Sequence, residues 1–151
     1  MSRITLTEGV VGGFVAPTPR RLVIIDLDES GGVQIQHHIK TGGSGPNAEY
    51  KVLQSPPEIS VLEVTSLTNS IVQNFRALPR EEPVGGEDIY HLDTQIAIET
   101  PDFSWCNVAN QGCNIVPSSV KPTDSQKQQF KAAAASLISL AEKYATVTAD
   151  I

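Results

Sequence analysis

The chain has 151 residues, of which 40% are hydrophobic and 19% charged, and its 17 Asp and Glu outnumber its 11 Lys and Arg to give a formal charge of −6. A single domain over residues 1–151 is expected at this length, with a core large enough to fold without a metal or a disulfide staple. The acidic balance and the lack of a Lys/Arg-rich run exclude the electrostatic footprint of a domain that binds nucleic acid or an anionic membrane surface.

The negative charge is concentrated in the middle of the chain. Residues 52–102 carry nine acidic and two basic side chains, whereas residues 1–51 carry five of each and residues 103–151 carry three acidic and four basic ones. A partner that recognises the protein electrostatically is therefore expected to meet the middle segment.

The cellular compartment decides what the two cysteines can do. No apolar run has the length that a signal peptide or a membrane span needs, so we expect a cytoplasmic protein. Cys106 and Cys113 enclose six residues. This spacing could close a small disulfide loop in an oxidising compartment, but the cytoplasm favours free thiols, and the spacing matches no common zinc motif.

The first forty residues are typical of an antiparallel sheet. Ile4 and Leu6 alternate with polar neighbours, and the stretch 21–28 is almost continuously apolar. A Gly-Gly turn then leads to a second alternating stretch, 33–40, which predicts a hairpin. The Gly-rich segment 41–48 that follows is predicted to be a mobile surface loop.

Two helices are predicted in the rest of the chain. The first has a candidate cap at Ser55, but β-branched residues over 59–64 could instead form a strand, in which case the helix would begin near Leu67. The second helix is predicted to be capped at Asp124 or Ser125. Its apolar residues recur at intervals of four and three, at Phe130, Ala134, Leu137, Ala141 and Tyr144.

The order of the elements indicates an α+β fold. Residues 88–100 are predicted to form a strand or a bent pair of strands, and residues 79–88 and 101–122 to form flexible loops. Together with the first strands, these elements predict an antiparallel sheet of four to five strands with two main helices packed on one face.

Asp26 and Asp28 form the most enzyme-like pattern, because they follow an apolar strand and are separated by one residue. This pattern resembles the nucleophile motif of haloacid-dehalogenase-type phosphatases, in which one carboxylate attacks phosphorus, the other handles a proton, and both hold Mg²⁺. Asp88 and Asp93 could supply the later metal-binding acids of that family. The sequence lacks the βαβ alternation of the family, so the alternative is a pair of solvated acids at a hairpin turn.

The histidines are a second candidate, for a metal site. His37 and His38 are neighbours in a predicted strand, so their side chains point to opposite faces and cannot bind one metal without a bulge. We expect His37 on the inner face and His38 on the outer face. A zinc site that combines a histidine such as His91 with Cys106 and Cys113 lacks the usual ligand spacing, and no metal or cofactor is predicted.

A family resemblance lies near the N-terminus, preceded by a short strand and followed by an apolar strand. The residues that carry it are Gly12, Gly13, Phe14 and Arg20. This segment resembles the Gly-Gly-Phe-Ala-Gly…Arg opening of emfourin-type inhibitors of thermolysin-family metallopeptidases. The chain departs from that pattern at Val15 and Pro17, in the hairpin and Gly-rich loop at 29–47, and in the loop between the two cysteines.

The resemblance implies a small α+β protein that blocks the active-site cleft of a metallopeptidase by surface contact, without a cofactor. Contacts are expected through loops 12–20, 41–48 and 79–88, since such clefts accept extended backbone or a carboxylate near zinc. The predicted partner-binding residues are Gly12, Gly13, Phe14, Arg20, Glu81, Glu82, Glu87 and Asp88. The alternatives are a non-inhibitory protein-interaction or regulatory module and the Mg²⁺-dependent phosphatase; the lack of other catalytic motifs favours a non-enzymatic protein.

Overall fold

The computed structural model describes residues 1–10, 18–83, 87–107 and 117–149. The strands in these ranges are β1 (Ser2–Glu8), β2 (Arg21–Leu27), β3 (Val33–Gly42), β4 (Glu49–Gln54), β5 (Thr94–Glu99), β6 (Ser104–Cys106) and β7 (Val147–Thr148). The helices are α1 (Val61–Phe75) and α2 (Asp124–Tyr144), and a 3-10 turn covers Gly45–Asn47.

The seven strands form one sheet in the order β6-β5-β1-β2-β3-β4-β7. Each neighbouring pair in it is antiparallel. The N-terminal strand β1 lies inside the sheet, because β2 pairs with one of its edges and β5 returns to the other after α1. This sheet confirms the α+β class, but the predicted four to five strands were too few.

One face of the sheet forms the core. The register places Ile4 opposite Ile25 and Ile98, and Leu6 opposite Val23. The inner-face side chains that are at most 1% exposed are Ile4, Leu6, Val23, Ile25, Ile35, His37, Ile96 and Ile98. The alternation along the strands therefore predicted the buried face correctly, including the inward position of His37.

Both helices pack their apolar stripes into the same core as the sheet. The buried residues of α1 are Val64, Thr68, Ile71 and Phe75, and those of α2 are Phe130, Ala133, Ala134, Leu137, Leu140 and Ala141. The apolar stripe predicted for α2 is thus buried except for Tyr144, which is partly exposed. Within the described ranges, neither helix is long and apolar enough to cross a membrane.

Aromatic rings join α1, α2 and the strand β6. Tyr90 stacks on Phe130 with ring centroids 4.2 Å apart, and Phe75 meets Trp105 edge-on at 4.7 Å. Trp105 Nε1 donates to the Leu78 carbonyl at 3.1 Å. These contacts hold the segment that connects α1 to β5 against the core.

The helix starts differ from the predicted ones. Ser55 does not cap α1, because its hydroxyl accepts from the Ile35 N–H at 2.9 Å and so extends the pairing of β3 and β4. Ser60 is the cap of α1, with the Glu63 N–H 3.4 Å from its hydroxyl, so the start near Leu67 is also wrong. Thr123 caps α2, one residue before the predicted cap, and forms a capping box with Gln126.

Three strands were missed because they are short or lie near the edges of the sheet. β4 has no buried residue, and β6 and β7 have three and two residues. In contrast, no strand begins at Asp88. The backbone turns at His91 and Asp93, whose φ angles of 57° and 51° are incompatible with a strand, and β5 starts only at Thr94.

Candidate binding surface at the loop end of the sheet

Three connections of the chain reach the same end of the sheet. The register pairs Glu8 with both Arg21 and Thr94, and it pairs Arg21 with Ile39. The end of β1, the start of β2, the end of β3 and the start of β5 therefore lie side by side. We call this end of the sheet the loop end. The described residues that meet there are 9–10 and 18–20 of the β1–β2 connection, 43–48 of the β3–β4 connection, and 88–93 before β5.

The first two connections contact each other directly. The Gly45 N–H donates to Thr18 Oγ1 at 2.8 Å, and the Tyr50 hydroxyl donates to the Pro19 carbonyl at 2.6 Å. The turn between β3 and β4 also requires a glycine at Gly43, where φ is +72° and a Cβ atom would lie 2.1 Å from the Asn47 carbonyl oxygen. The loop end is thus fixed by specific contacts among its described residues.

Asp93 joins the first connection to the segment before β5. Its Oδ1 accepts from the Val10 N–H at 2.9 Å, its Oδ2 accepts from Arg20 Nη1 at 3.0 Å, and its carbonyl accepts from the Gly9 N–H at 2.8 Å. The Asp93 N–H in turn donates to Asp88 Oδ2 at 2.9 Å. One residue therefore binds both the start and the end of the β1–β2 connection.

Charged contacts continue from Arg20 into the core. Glu8 accepts from Arg20 Nη2 at 3.3 Å and from Arg21 Nε at 2.7 Å. Arg21 Nη1 lies 3.1 Å from Nε2 of His37 and 3.5 Å from Oε1 of Glu142 on α2. Because the Arg20 side chain is 50% exposed and His37 is 1% exposed, this network links the surface to the interior.

Two predicted contact residues, Arg20 and Asp88, come together through Asp93. Asp88 is partly buried, and this burial raises the pKa of its carboxyl group, opposed by the hydrogen bond from the Asp93 N–H. The predicted contact residues Gly12, Gly13 and Phe14 lie outside the described residues.

The remaining predicted contacts are dispersed along the connection to β5. Glu87 forms an ion pair with Lys121. Glu82 is exposed, and its N–H donates to Ser118 Oγ at 2.9 Å. These two carboxylates therefore lie on the side of the protein where the chain enters α2.

Glu81 does not have the surface position that its prediction as a contact residue required. It is 1% exposed, so its carboxylate is inside the protein. Trp105 Nε1 donates to the Leu78 carbonyl and the Glu82 N–H donates to Ser118 Oγ, so the backbone is anchored on both sides of Glu81. An acidic stretch of sequence gives no sign of such anchoring.

Four of the nine acidic residues of the middle segment form ion pairs. Its pairs are Glu63–Lys143, Glu87–Lys121, Asp93–Arg20 and Asp102–Arg76. Three of these four cations belong to the parts of the chain that flank residues 52–102. The charge excess that is evident in the sequence is therefore not one continuous acidic surface.

Asp26 and Asp28 both have structural partners. Arg3 forms a bidentate pair with Asp26, with N···O distances of 2.6 and 3.0 Å. Asp28 Oδ1 accepts from Ser30 Oγ and from the Gly32 N–H, each at 2.7 Å, and these hydrogen bonds lower the pKa of Asp28. The hairpin turn thus uses the carboxylate of Asp28, and the carboxylate of Asp26 links β2 to β1.

The four aspartates proposed for a phosphatase site are not brought together. Asp26 faces Arg3 near the start of β1, whereas Asp88 and Asp93 lie at the loop end, beyond the end of β1. Across residues 1–10, 18–83, 87–107 and 117–149, no group of three His, Cys, Asp or Glu side chains is arranged to hold a metal ion.

The histidines occupy the predicted faces of β3. His37 is buried against the core, and His38 is partly exposed on the opposite face, where burial lowers its pKa. His91 is exposed at the loop end.

Cys106 lies on β6, where burial raises the pKa of its thiol, with a further contribution from Glu81. Cys113 lies outside the described residues, so the pairing of the two cysteines stays a prediction.

Sequence reasoning missed a small apolar cavity on the outer face of the sheet, beside the loop end. Its volume is about 320 Å³, and its lining residues are Thr7, Pro19, Leu22, His38 and Tyr50. Strand alternation places four of these side chains on the outer face, but only the pairing of β1 to β4 brings them together.

Comparison of the chain with models of known protein families gave no match, and comparison with curated proteins gave none either.

Proposed function

We propose that the protein is a non-enzymatic protein-binding domain that inhibits a metallopeptidase by placing its loop end over the active-site cleft. The observation that carries this proposal is that residues 9–10, 18–20, 43–48 and 88–93 meet at one end of a single sheet, where they include parts of each predicted contact loop. Loops that a rigid scaffold holds at one end are a frequent arrangement for binding sites.

The contacts among the connections support inhibition by a preorganised surface. Thr18 is tied to the β3–β4 turn, Pro19 to Tyr50 on β4, and Val10 and Arg20 to Asp93. A surface that is ordered before binding loses less conformational entropy when a partner binds, which favours high affinity. No cofactor is needed for this mode of action.

Arg20 is the residue of the loop end that we expect to contribute most to partner recognition. Its side chain is 50% exposed, and Asp93 and Glu8 hold the guanidinium group in place. Arginine is enriched among the residues that dominate interface energies.

Titration of thermolysin-type peptidases with the purified protein tests the proposal. We expect saturable loss of peptidase activity at micromolar or lower concentration, and Arg20→Ala should raise the concentration for half-inhibition at least about tenfold. Arg3→Ala is the matched control, because Arg3 is also paired with an aspartate and its side chain is 53% exposed, but it lies at the opposite end of β1.

Full activity of several such peptidases at micromolar excess of the protein would contradict inhibition. If the protein nevertheless binds one of them in a sedimentation or calorimetric assay, the non-inhibitory interaction module becomes the better proposal. Equal effects of Arg20→Ala and Arg3→Ala would argue against the loop end as the contact surface.

A further inference from the structure

His37 is a buried titratable group in contact with a permanent cation. It is 1% exposed, and its Nε2 lies 3.1 Å from Arg21 Nη1. A guanidinium group can only donate hydrogen bonds, so Nε2 has to be the acceptor and the imidazole has to be neutral, with its hydrogen on Nδ1. Protonation of Nε2 would replace this hydrogen bond with two cations in contact.

Charged and titratable groups surround His37 on β1, β2, β3 and α2. Arg21 faces it from β2, Glu8 from β1 and Glu142 from α2, while His38 follows it on β3. Burial and Arg21 lower the pKa of His37, and the two carboxylates oppose this effect. The neutral form therefore prevails in the folded protein at neutral pH.

Arg21 also links β2 to the end of α2. Its Nη1 atom is shared between His37 and Oε1 of Glu142, which lies 3.5 Å away in the last turn of the helix. Its Nε atom binds Glu8, which binds Arg20 in turn. A displaced Arg21 therefore affects two regions, the end of α2 and the loop end.

We propose that His37 is an acid-sensitive switch: when it accepts a proton, Arg21 is displaced, and both the last turn of α2 and the position of Arg20 are loosened. The first consequence concerns the fold alone. The second, weaker partner binding in mild acid, rests on the proposed function.

Hydrogen exchange and histidine titration test the switch without a partner. In the wild type, we expect protection of amides 140–149, corrected for intrinsic exchange, to fall at least about threefold between pH 7.5 and pH 5.0. His37→Gln should abolish this fall, because the amide oxygen can accept from Arg21 and does not titrate in this range. His38→Gln is the matched control and should retain the fall.

NMR titration of the wild type gives a second measurement, which does not depend on the folding of a variant. The side-chain signal of His37 should titrate below 6.5, the ordinary value for histidine. Titration at or above 6.5, unchanged protection at pH 5.0, or an equal fall in His37→Gln would each overturn the switch.

Inhibition assays at the two pH values address the second consequence. If a peptidase is inhibited at pH 7.5, the switch predicts weaker inhibition at pH 5.0 in the wild type and a smaller change in His37→Gln, and equal changes in both proteins would contradict it. If no peptidase is inhibited at pH 7.5, the proposed function fails, while exchange and titration still decide the switch.

Discussion

Arg20 and Asp93 are separated by 73 positions in the chain, yet Arg20 Nη1 donates to Asp93 Oδ2 at 3.0 Å. The other oxygen of the same carboxylate accepts from the Val10 N–H. The two ends of the β1–β2 connection are therefore held by one side chain that belongs to a distant part of the sequence.

Substitutions of Asp93 should separate the role of its side chain from that of its backbone. Asp93→Ala removes the side-chain hydrogen bonds. It also leaves a residue at φ 51° that has a Cβ atom but, unlike aspartate, no polar side chain to stabilise this left-handed conformation. The substitution should therefore reduce the free energy of unfolding by about 2–3 kcal/mol. Asp93→Gly tolerates that φ and should cost less, and Asp93→Asn should cost about 1 kcal/mol or less because it keeps an acceptor for Val10. Urea unfolding gives the order; equal losses for Ala and Gly would show that the backbone conformation is not a factor.

Asp88→Asn tests the consequence of a partly buried carboxylate. Burial raises the pKa of Asp88 in the folded protein above 3.8, its ordinary value. At pH values between the ordinary pKa and the raised one, the folded protein binds more protons than the unfolded chain. The contribution of Asp88 to stability therefore increases as the pH falls. At pH 7 the charged form is disfavoured by burial, and Asp88→Asn should be more stable than the wild type by less than about 1 kcal/mol.

The same comparison at lower pH checks the sign. The advantage of Asp88→Asn should decrease as the pH falls from 7 toward 4.5, measured by urea unfolding of both proteins in the same buffers. An advantage that grows on acidification would show that the folded protein favours the charged form of Asp88.

The periodicity of apolar residues along the strands and helices predicted the parts of the structure that depend on local sequence. The opposite orientations of His37 and His38 follow from the period of two residues, and the buried stripe of α2 follows from the helical period. β4 escaped prediction because it lies near the edge of the sheet and has no buried residue to mark it.

The candidate site depended on contacts that no local pattern contains. Asp93 acquires its role only because β5 pairs with β1, which brings Val10 and Arg20 within reach. Glu81 was predicted at the surface because acidic residues surround it in sequence, but Trp105 and Ser118 determine its orientation. In both cases residues distant in sequence decide the outcome.

The two helix caps should differ in their contributions to stability. The Gln126 N–H donates to Thr123 Oγ1 at 3.2 Å, and the Gln126 side chain accepts from the Thr123 N–H at 2.8 Å. Thr123→Ala should therefore cost about 1–2 kcal/mol of the free energy of unfolding, whereas Ser60→Ala should cost about 0.5 kcal/mol, because the bond to its hydroxyl is long at 3.4 Å. Thr123→Ser keeps the acceptor and serves as the control in urea unfolding. An equal loss at both caps would contradict the difference that the geometry predicts.

Asp26→Asn distinguishes a structural ion pair from a phosphatase nucleophile. Because both oxygens of Asp26 are bound by Arg3 and Asp28 is bound within the hairpin turn, we expect wild type and variant to show the same background hydrolysis of an aryl phosphate with Mg²⁺. The variant should lose about 0–1 kcal/mol of the free energy of unfolding, as is usual for an exposed ion pair, and Asp102→Asn, which breaks the exposed pair with Arg76, gives the comparison. The contrary result would be Mg²⁺-dependent hydrolysis in the wild type and in Asp102→Asn but not in Asp26→Asn. That result would establish a catalytic role for the Asp26 carboxylate, because loss of an ion pair alone would affect both variants alike.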